Sequence, residues 1–510
     1  MILKIALLII FFAVTLAVGL YCRRHATDVN GFVLGGRSVG PWLTAFAYGT
    51  SYFSAVIFVG YAGQFGWNFG VASTWIGIGN ALIGSLLAWV ILGRRTRLMS
   101  QNLESATMPE FFGKRYGSNA LKITASIIAF VFLIPYTASL YNGLSRLFSV
   151  AFGIDYTVCI IAMAILTCIY VVAGGYMATA INDFIQGIIM LVGIVAVIAA
   201  VLMNQGGFST ALESLASIKG DSAVPGVYNS FFGPDPLGLL GVVLLTSLGT
   251  WGLPQMVQKF YAIKNEKAIA KGTIISTVFA LVVAGGCYFL GGFGRLFLTP
   301  EQVAADGYDA IIPAMISKLP DILIGIVVIL VLSASMSTLS SLVLASSSTI
   351  TLDFLKGNII KKMSDKLQLV IMRIFVGVFI VISVVIAVYQ YKVGNSYIAQ
   401  LMGVSWGALA GSFLAPFVYA LYWKRTTKAA CFVSFGFGSV IMIANMLFRS
   451  YFPTLLQSPI NCGAFAMLAG LIIVPIVSLL TPHPNKEKVD EMFACYDRAV
   501  TVSAKTSLSE

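Results

Sequence analysis

Runs of about twenty apolar residues recur along nearly the whole chain, and that is the length an α-helix needs to cross the hydrocarbon core of a bilayer. Measured this way the sequence holds thirteen candidates, at 2–21, 41–63, 72–93, 120–150, 156–174, 181–203, 237–258, 272–294, 322–354, 367–390, 398–422, 428–448 and 461–480. A backbone in lipid must satisfy its own polar groups, so only helices and closed barrels span. Long apolar runs without strict alternation select helices. With 58% hydrophobic and 10% charged residues, the 510-residue chain has too little polar surface to cover a soluble globule. The expected fold class is an all-α integral membrane protein with thirteen transmembrane helices.

The first run could be taken for a cleaved leader, since it carries Lys4, an apolar stretch and small residues near its end. It is long and stops at Arg23 and Arg24, which favours a first spanning helix. The net charge of +12 is not gathered into one patch of the kind that binds nucleic acid. Its Lys and Arg residues fall between the apolar runs. With the N-terminus outside, inward loops hold Arg23, Arg24 and Arg37, the group from Arg94 to Lys122, Lys259 to Lys271, Lys356 to Lys366, Lys424 to Lys428, and the tail. Outward loops hold little more than Lys219, Arg295, Lys318, Lys392 and Arg449. The positive-inside bias therefore predicts N-out and C-in, with an odd number of crossings.

Transporters often contain inverted repeats whose first helices are interrupted near the midplane. Two interruptions stand out: Gly49-Thr50-Ser51, with Gly60 and Gly63 beyond, and Gly249-Thr250-Trp251-Gly252-Leu253-Pro254. They lie five helices apart. That spacing predicts repeats over 41–203 and 237–422, with an extra helix at 2–21, two further helices within 428–480 and a cytoplasmic tail over 481–510. Glycine and proline are also common in membrane helices for packing reasons alone.

Chemistry-bearing residues are few. Ser333-Ala334-Ser335-Met336-Ser337-Thr338-Leu339-Ser340, followed by Ser346, Ser347, Ser348 and Thr349, places many hydroxyls on one spanning helix. Neutral hydroxyls and freed carbonyls can ligate a monovalent hard cation without trapping it, whereas calcium or magnesium would call for carboxylates. Serine-rich helices also arise from close packing and bonding to the carbonyl four residues back. Asp183, near the start of the run 181–203, reads first as a helix cap and second as a cation way-station. Gly403-Val404-Ser405-Trp406-Gly407 matches a nucleophile elbow as a string. An elbow needs a strand–turn–helix and a base, and the two histidines, His25 and His483, fall outside the runs. No phosphate loop, metal spacing or disulfide pattern appears, so an enzyme or an ATP-driven pump is not expected.

Four strings in order, Phe32-Val33-Leu34-Gly35-Gly36-Arg37-Ser38-Val39-Gly40, Ala173-Gly174-Gly175-Tyr176 leading to Asp183 and Gln186, Gly252-Leu253-Pro254-Gln255 with Lys259-Phe260, and Met336-Ser337-Thr338-Leu339, resemble the sodium:solute symporter family over nearly the whole chain. That resemblance implies a leucine-transporter-like core of five-plus-five inverted repeats with sodium between the first and eighth core helices. It implies a sodium ligand set of the main-chain oxygens of Thr50, Phe53 and Ala334 and the hydroxyls of Ser337 and Thr338. It places substrate by the two breaks, near Ser51, Ser54, Tyr136, Thr250 and Trp251. Proline carriers of the family have an aspartate where this chain has Tyr52, and aromatic residues where it has Thr246 and Thr250. The usual Trp-Thr ahead of the aspartate is Ile181-Asn182 here.

The function these features imply is sodium-coupled import of a small carboxylate-bearing solute of pantothenate, monocarboxylate or amino-acid type, by alternating access. The rivals are a proton-coupled symporter of the same fold and a non-transporting membrane sensor. Expected partners are the small-molecule substrate and the lipid bilayer, with no nucleic acid. The expected location is a plasma membrane, of a bacterial kind.

Overall fold

A computed structural model describes residues 2–23, 26–153, 155–218, 224–393 and 398–500. Arg24, His25 and Lys219 of the charge reading, and the tail beyond Val500, lie outside the described residues. Among the described residues the chain is helical, with two isolated bridges, Val39–Ile263 and Lys356–Ile360, and no strands. Ten helices are long and apolar enough to cross a membrane, or eleven if the bent pair Pro236–Gly252 and Pro254–Tyr261 forms one span.

The difference from thirteen has a physical origin. Two continuous stretches, Val56–Asn102 and Tyr156–Asn204, run 47 and 49 residues, each long enough for two crossings. Each is interrupted by a glycine in a conformation that only glycine tolerates, Gly70 at φ 62°, ψ −144° and Gly175 at φ 54°, ψ −146°. A Cβ on Gly175 would also meet the Phe32 carbonyl oxygen at 2.8 Å. Conversely, Pro41–Tyr52 is a separate helix of 12 residues, cut off before it could span.

Burial separates core from periphery. In Ile398–Tyr422 and Asp321–Leu355 the apolar windows are 89% and 72% buried, whereas Asp365–Lys392 is 33% buried and Ile5–Cys22 22%. Apolar surface on the second pair is what a helix offers to lipid, since hydrocarbon outside leaves no reason to hide it. The serine-rich helix Asp321–Ser348 packs on Tyr156–Asn204, Asn119–Phe152 and Pro41–Tyr52.

Arg37 is not a free loop charge. It is buried, and its guanidinium donates to Ser100 Oγ at 3.1 Å, to the Tyr261 carbonyl at 3.2 Å and to the Ser105 carbonyl at 2.7 Å, tying the Gly35-Gly36-Arg37 turn to the ends of two helices. Burial lowers its pKa to about 10, which leaves it charged at neutral pH.

Candidate functional site

The first break is made by the helix Pro41–Tyr52 losing its ladder at Phe53, whose backbone turns extended at φ −94°, ψ 125°. The last helical bond runs from the Phe53 amide to the Gly49 carbonyl, and the chain resumes only at Ala55, entering a wide π-turn over Val56–Tyr61. Carbonyls at Thr50 and Phe53 are thereby left facing sideways. The serine-rich helix answers them: Ser337 Oγ lies 3.0 Å from the Thr50 oxygen and 3.0 Å from the Ala334 oxygen. Thr338 Oγ1 lies 3.2, 3.3 and 3.1 Å from the oxygens of Thr50, Phe53 and Ala334. All five expected ligand atoms therefore converge in one place, and each of the residues is at most 1% exposed. The neighbouring hydroxyls do otherwise: those of Ser335, Ser340, Ser347 and Ser348 bond to carbonyls of their own helix, the packing role expected of most of the run.

The second break is a turn of 3-10 helix over Gly249–Gly252 and an extended Leu253, after which Pro254 starts a new helix bent by 49°. Proline at that first position needs no amide partner and fixes the turn. Two expected substrate residues are occupied there: Thr250 Oγ1 donates to the Ser247 carbonyl at 2.9 Å, and Trp251 Nε1 to the Ile83 carbonyl at 3.0 Å. Ser51 also has a partner, the Ser341 hydroxyl at 2.8 Å. Ser54 Oγ and Tyr136 OH, by contrast, are buried with no partner within hydrogen-bond distance, and Tyr136 OH has only the more distant Ser54 and Trp406 side chains to interact with.

Trp406, which the sequence reading passed over inside the nucleophile-like string, joins these pieces. Its ring packs 6.0 Å from Tyr52 and 5.8 Å edge-on to Tyr136, and a Cβ on Gly249 would sit 3.5 Å from it. Its Nε1 is another buried donor, with only the more distant Tyr136 hydroxyl to meet. Tyr52 OH donates to the Thr246 carbonyl at 3.0 Å, which ties the first break to the helix leading to the second. Ser405 of the same string lies within the helix Ile398–Tyr422 and donates to the Phe132 carbonyl, so no elbow exists.

Asp183 departs from the capping expectation. The helical break falls at Gly175, so Asp183 stands within the helix, fully buried, with neither carboxylate oxygen hydrogen-bonded. Its partner is Lys259 Nζ at 3.7 Å, a lysine counted above among inward-loop charges but 2% exposed in the helix after the second break. The ammonium donates to Ser341 Oγ at 2.9 Å and lies 5.1 Å from the Tyr176 ring centre. A lysine ends a hydropathy window regardless of what it faces; here a carboxylate from another helix makes its burial tolerable.

With this geometry in hand, comparison with known proteins is informative. The model of the sodium:solute symporter family matches residues 32–438. Sodium/proline symporters of Staphylococcus aureus strains JH9 and NCTC 8325 are 30% identical over 488 residues, 94% of this chain and 92% of theirs. Among solved structures, a Na+-coupled sialic acid symporter superposes with a TM-score of 0.74 at 17% identity, over 95% of this chain and 99% of that one. A manganese transporter of Eremococcus coleocola gives 0.51 at 11% identity, over 91% and 96%.

Proposed function

The chain belongs to the sodium:solute symporter family, and from that premise we propose that it imports a small carboxylate-bearing solute, using the converging oxygens of Thr50, Phe53, Ala334, Ser337 and Thr338 as its sodium site. The observation that carries this reading is the convergence of five buried oxygens on one point. The Thr50 and Phe53 carbonyls stand where a helix has lost its ladder, and the Ala334 carbonyl, which holds an amide of its own helix, offers a second lone pair to the same two hydroxyls. A cation can take the place of the hydroxyl protons once these rotate outward. At an ion–oxygen distance of about 2.4 Å, that of the similarly sized calcium ion, neighbouring octahedral ligands stand about 3.4 Å apart. The observed 3.0–3.3 Å spacings need widening by only a few tenths of an ångström.

The substrate site, in this reading, is the space bounded by Ser54, Tyr136 and Trp406 between the two breaks. These three groups reach only one another, and only at long range, so a ligand seated between them meets two hydroxyls and an indole N–H; a carboxylate, with up to four lone pairs, can accept from all three. The remaining assignments rest on the same premise: thirteen crossings obtained by dividing the two long stretches at Gly70 and Gly175, repeats at 41–203 and 237–422, and an N-out, C-in path through a bacterial cell membrane. Sodium is preferred to a proton as the driving ion because Asp183, the buried acid beside the two breaks, is already paired with Lys259. One sodium entering down 100 mV releases about 2.3 kcal/mol and a tenfold gradient adds about 1.4, enough for roughly 500-fold accumulation of a zwitterion; with a monoanion no net charge moves, and the gradient alone supports about tenfold.

The test is uptake by purified protein in sealed vesicles with an imposed sodium gradient, against labelled proline, pantothenate, lactate, acetate and a sugar. Accumulation of a carboxylate that collapses when sodium is replaced by potassium is the expected result. Accumulation of the sugar alone, or uptake driven equally by a pH gradient, overturns it.

A further inference from the structure

On the face assigned to the cytoplasm lies a cavity of about 580 Å³ whose wall includes no residue of either break. It falls within the roughly 300–1,000 Å³ typical of ligand clefts. Three elements form it: the last turn of the helix Met108–Tyr116, the first turn of Lys428–Leu447, and the segment from Thr481 into the helix Lys486–Phe493. Its wall carries Lys114, Arg115, Lys428, His483 and Lys488, and no aspartate or glutamate. Of the nearby carboxylates, Glu110 pairs with Lys114 at 3.0 Å and so offsets one of these cations, while Asp490 is held by Lys424, off the wall, at 2.6 Å.

Arg115 is the residue that makes this more than a patch of surface lysines. It is 2% exposed, and its Nε donates to the Ala420 carbonyl at 3.2 Å, while Nη2 has no hydrogen-bond partner. The rings of Tyr116 and Phe493 flank it at 5.1 and 5.2 Å. Aromatic faces soften the cost of a buried guanidinium, but the planar fork still lacks the anion its geometry fits. The 20-residue helix Lys428–Leu447 contributes its positive end, with Thr427, Lys428 and Ala429 on the cavity wall.

We propose that this cavity binds a phosphate-bearing anion. The walls sit where the apolar helix Pro459–Leu480 ends and Lys428–Leu447 begins, the depth at which an anionic phospholipid presents its headgroup. Occupancy would also brace the C-terminal segment, which is already latched by the Arg94 guanidinium to the Tyr496 carbonyl at 3.0 Å and by Tyr496 OH to the Leu421 carbonyl at 2.9 Å. The proposal rests on the inward orientation given above only for its choice of leaflet.

The experiment is native mass spectrometry and thermal melting of the purified full-length protein with phosphatidylglycerol, with phosphatidylcholine, and with inorganic phosphate. The expected result is retention of phosphatidylglycerol with a raised melting temperature, at least fivefold weakened in the double variant Lys428→Ser/Lys488→Ser. Both lysines are exposed, so this variant folds where Arg115→Gln could fail. If millimolar phosphate displaces the lipid and protects alone, the ligand is a soluble phosphate at the same site; if it does not, the ligand is the lipid. Equal retention of both lipids, or of phosphatidylglycerol by wild type and variant alike, overturns the proposal. None of these readouts uses transport, so a failed uptake assay leaves the result interpretable.

Discussion

Two buried polar clusters join the same two elements, the first broken helix and the serine-rich helix, one turn apart. In the upper one, Ser337 and Thr338 face the carbonyls of Thr50 and Phe53. In the lower one, Ser341 bridges Ser51 to Lys259, which faces Asp183. The upper cluster is all neutral oxygen; the lower sets a carboxyl group against an ammonium that the chain itself supplies. Burying an unpaired charge costs several kcal/mol, so a protein must either carry the countercharge or recruit it. The lower cluster carries it on a tether, and the upper one has none. Only a site without a built-in cation can gain and lose one in each cycle, which is why the coupling role is placed in the upper cluster.

The sharpest way to break this contrast is to remove the tethered cation. Lys259→Met leaves Asp183 buried and unpaired, and the expected loss is about 3–5 kcal/mol of stability. Thermal melting of the purified protein reads it, and Lys259→Met/Asp183→Asn should recover most of the loss. If the double variant melts no higher than the single one, the pair is not self-neutralising and the comparison fails. The next largest effect belongs to the upper cluster. Ser337→Ala or Thr338→Ala removes a ligand to a charge, worth about 1.5–3 kcal/mol, or roughly 10–100-fold in sodium affinity. Sodium binding without substrate should weaken by that factor while Lys259→Met/Asp183→Asn shifts it by less than about threefold. Unchanged sodium binding in both alanine variants would remove the upper cluster as the ion site.

How much of this was legible in the sequence differs between the clusters for a physical reason. The upper one is written in local terms, a glycine-flanked hydroxyl pair opposite a run of hydroxyls, and the family resemblance located all five atoms at Thr50, Phe53, Ala334, Ser337 and Thr338. The lower one depends on a contact between residues 76 positions apart, Asp183 and Lys259, so each was read alone, one as a cap and the other as a loop charge. The helix count is a related case. Apolar runs separate 41–63 from 72–93 and 156–174 from 181–203, whereas the structure carries helix across both gaps and bends it at Gly70 and Gly175, which stand among 49 glycines of which most are ordinary. Trp406 was missed because a tryptophan in an apolar run carries no signal until its ring is seen between Tyr52 and Tyr136.

The smallest expected effect separates the substrate site from both clusters. Trp406→Phe keeps a ring that can pack against Tyr52 and Tyr136 but deletes the unpartnered Nε1 donor. Loss of one hydrogen bond predicts about 0.5–1.5 kcal/mol, a roughly 2–10-fold weaker substrate affinity. Sodium binding measured without substrate should be unchanged, because no atom of Trp406 is among the converging oxygens. Sodium activation of uptake should still shift, since ion and substrate raise each other's affinity by a common factor and a poorer substrate contact lowers that factor. A variant that weakens sodium binding even in the absence of substrate would mean that the indole supports the broken helix itself, through Tyr52, and that the donor count around Ser54 and Tyr136 says nothing about a carboxylate.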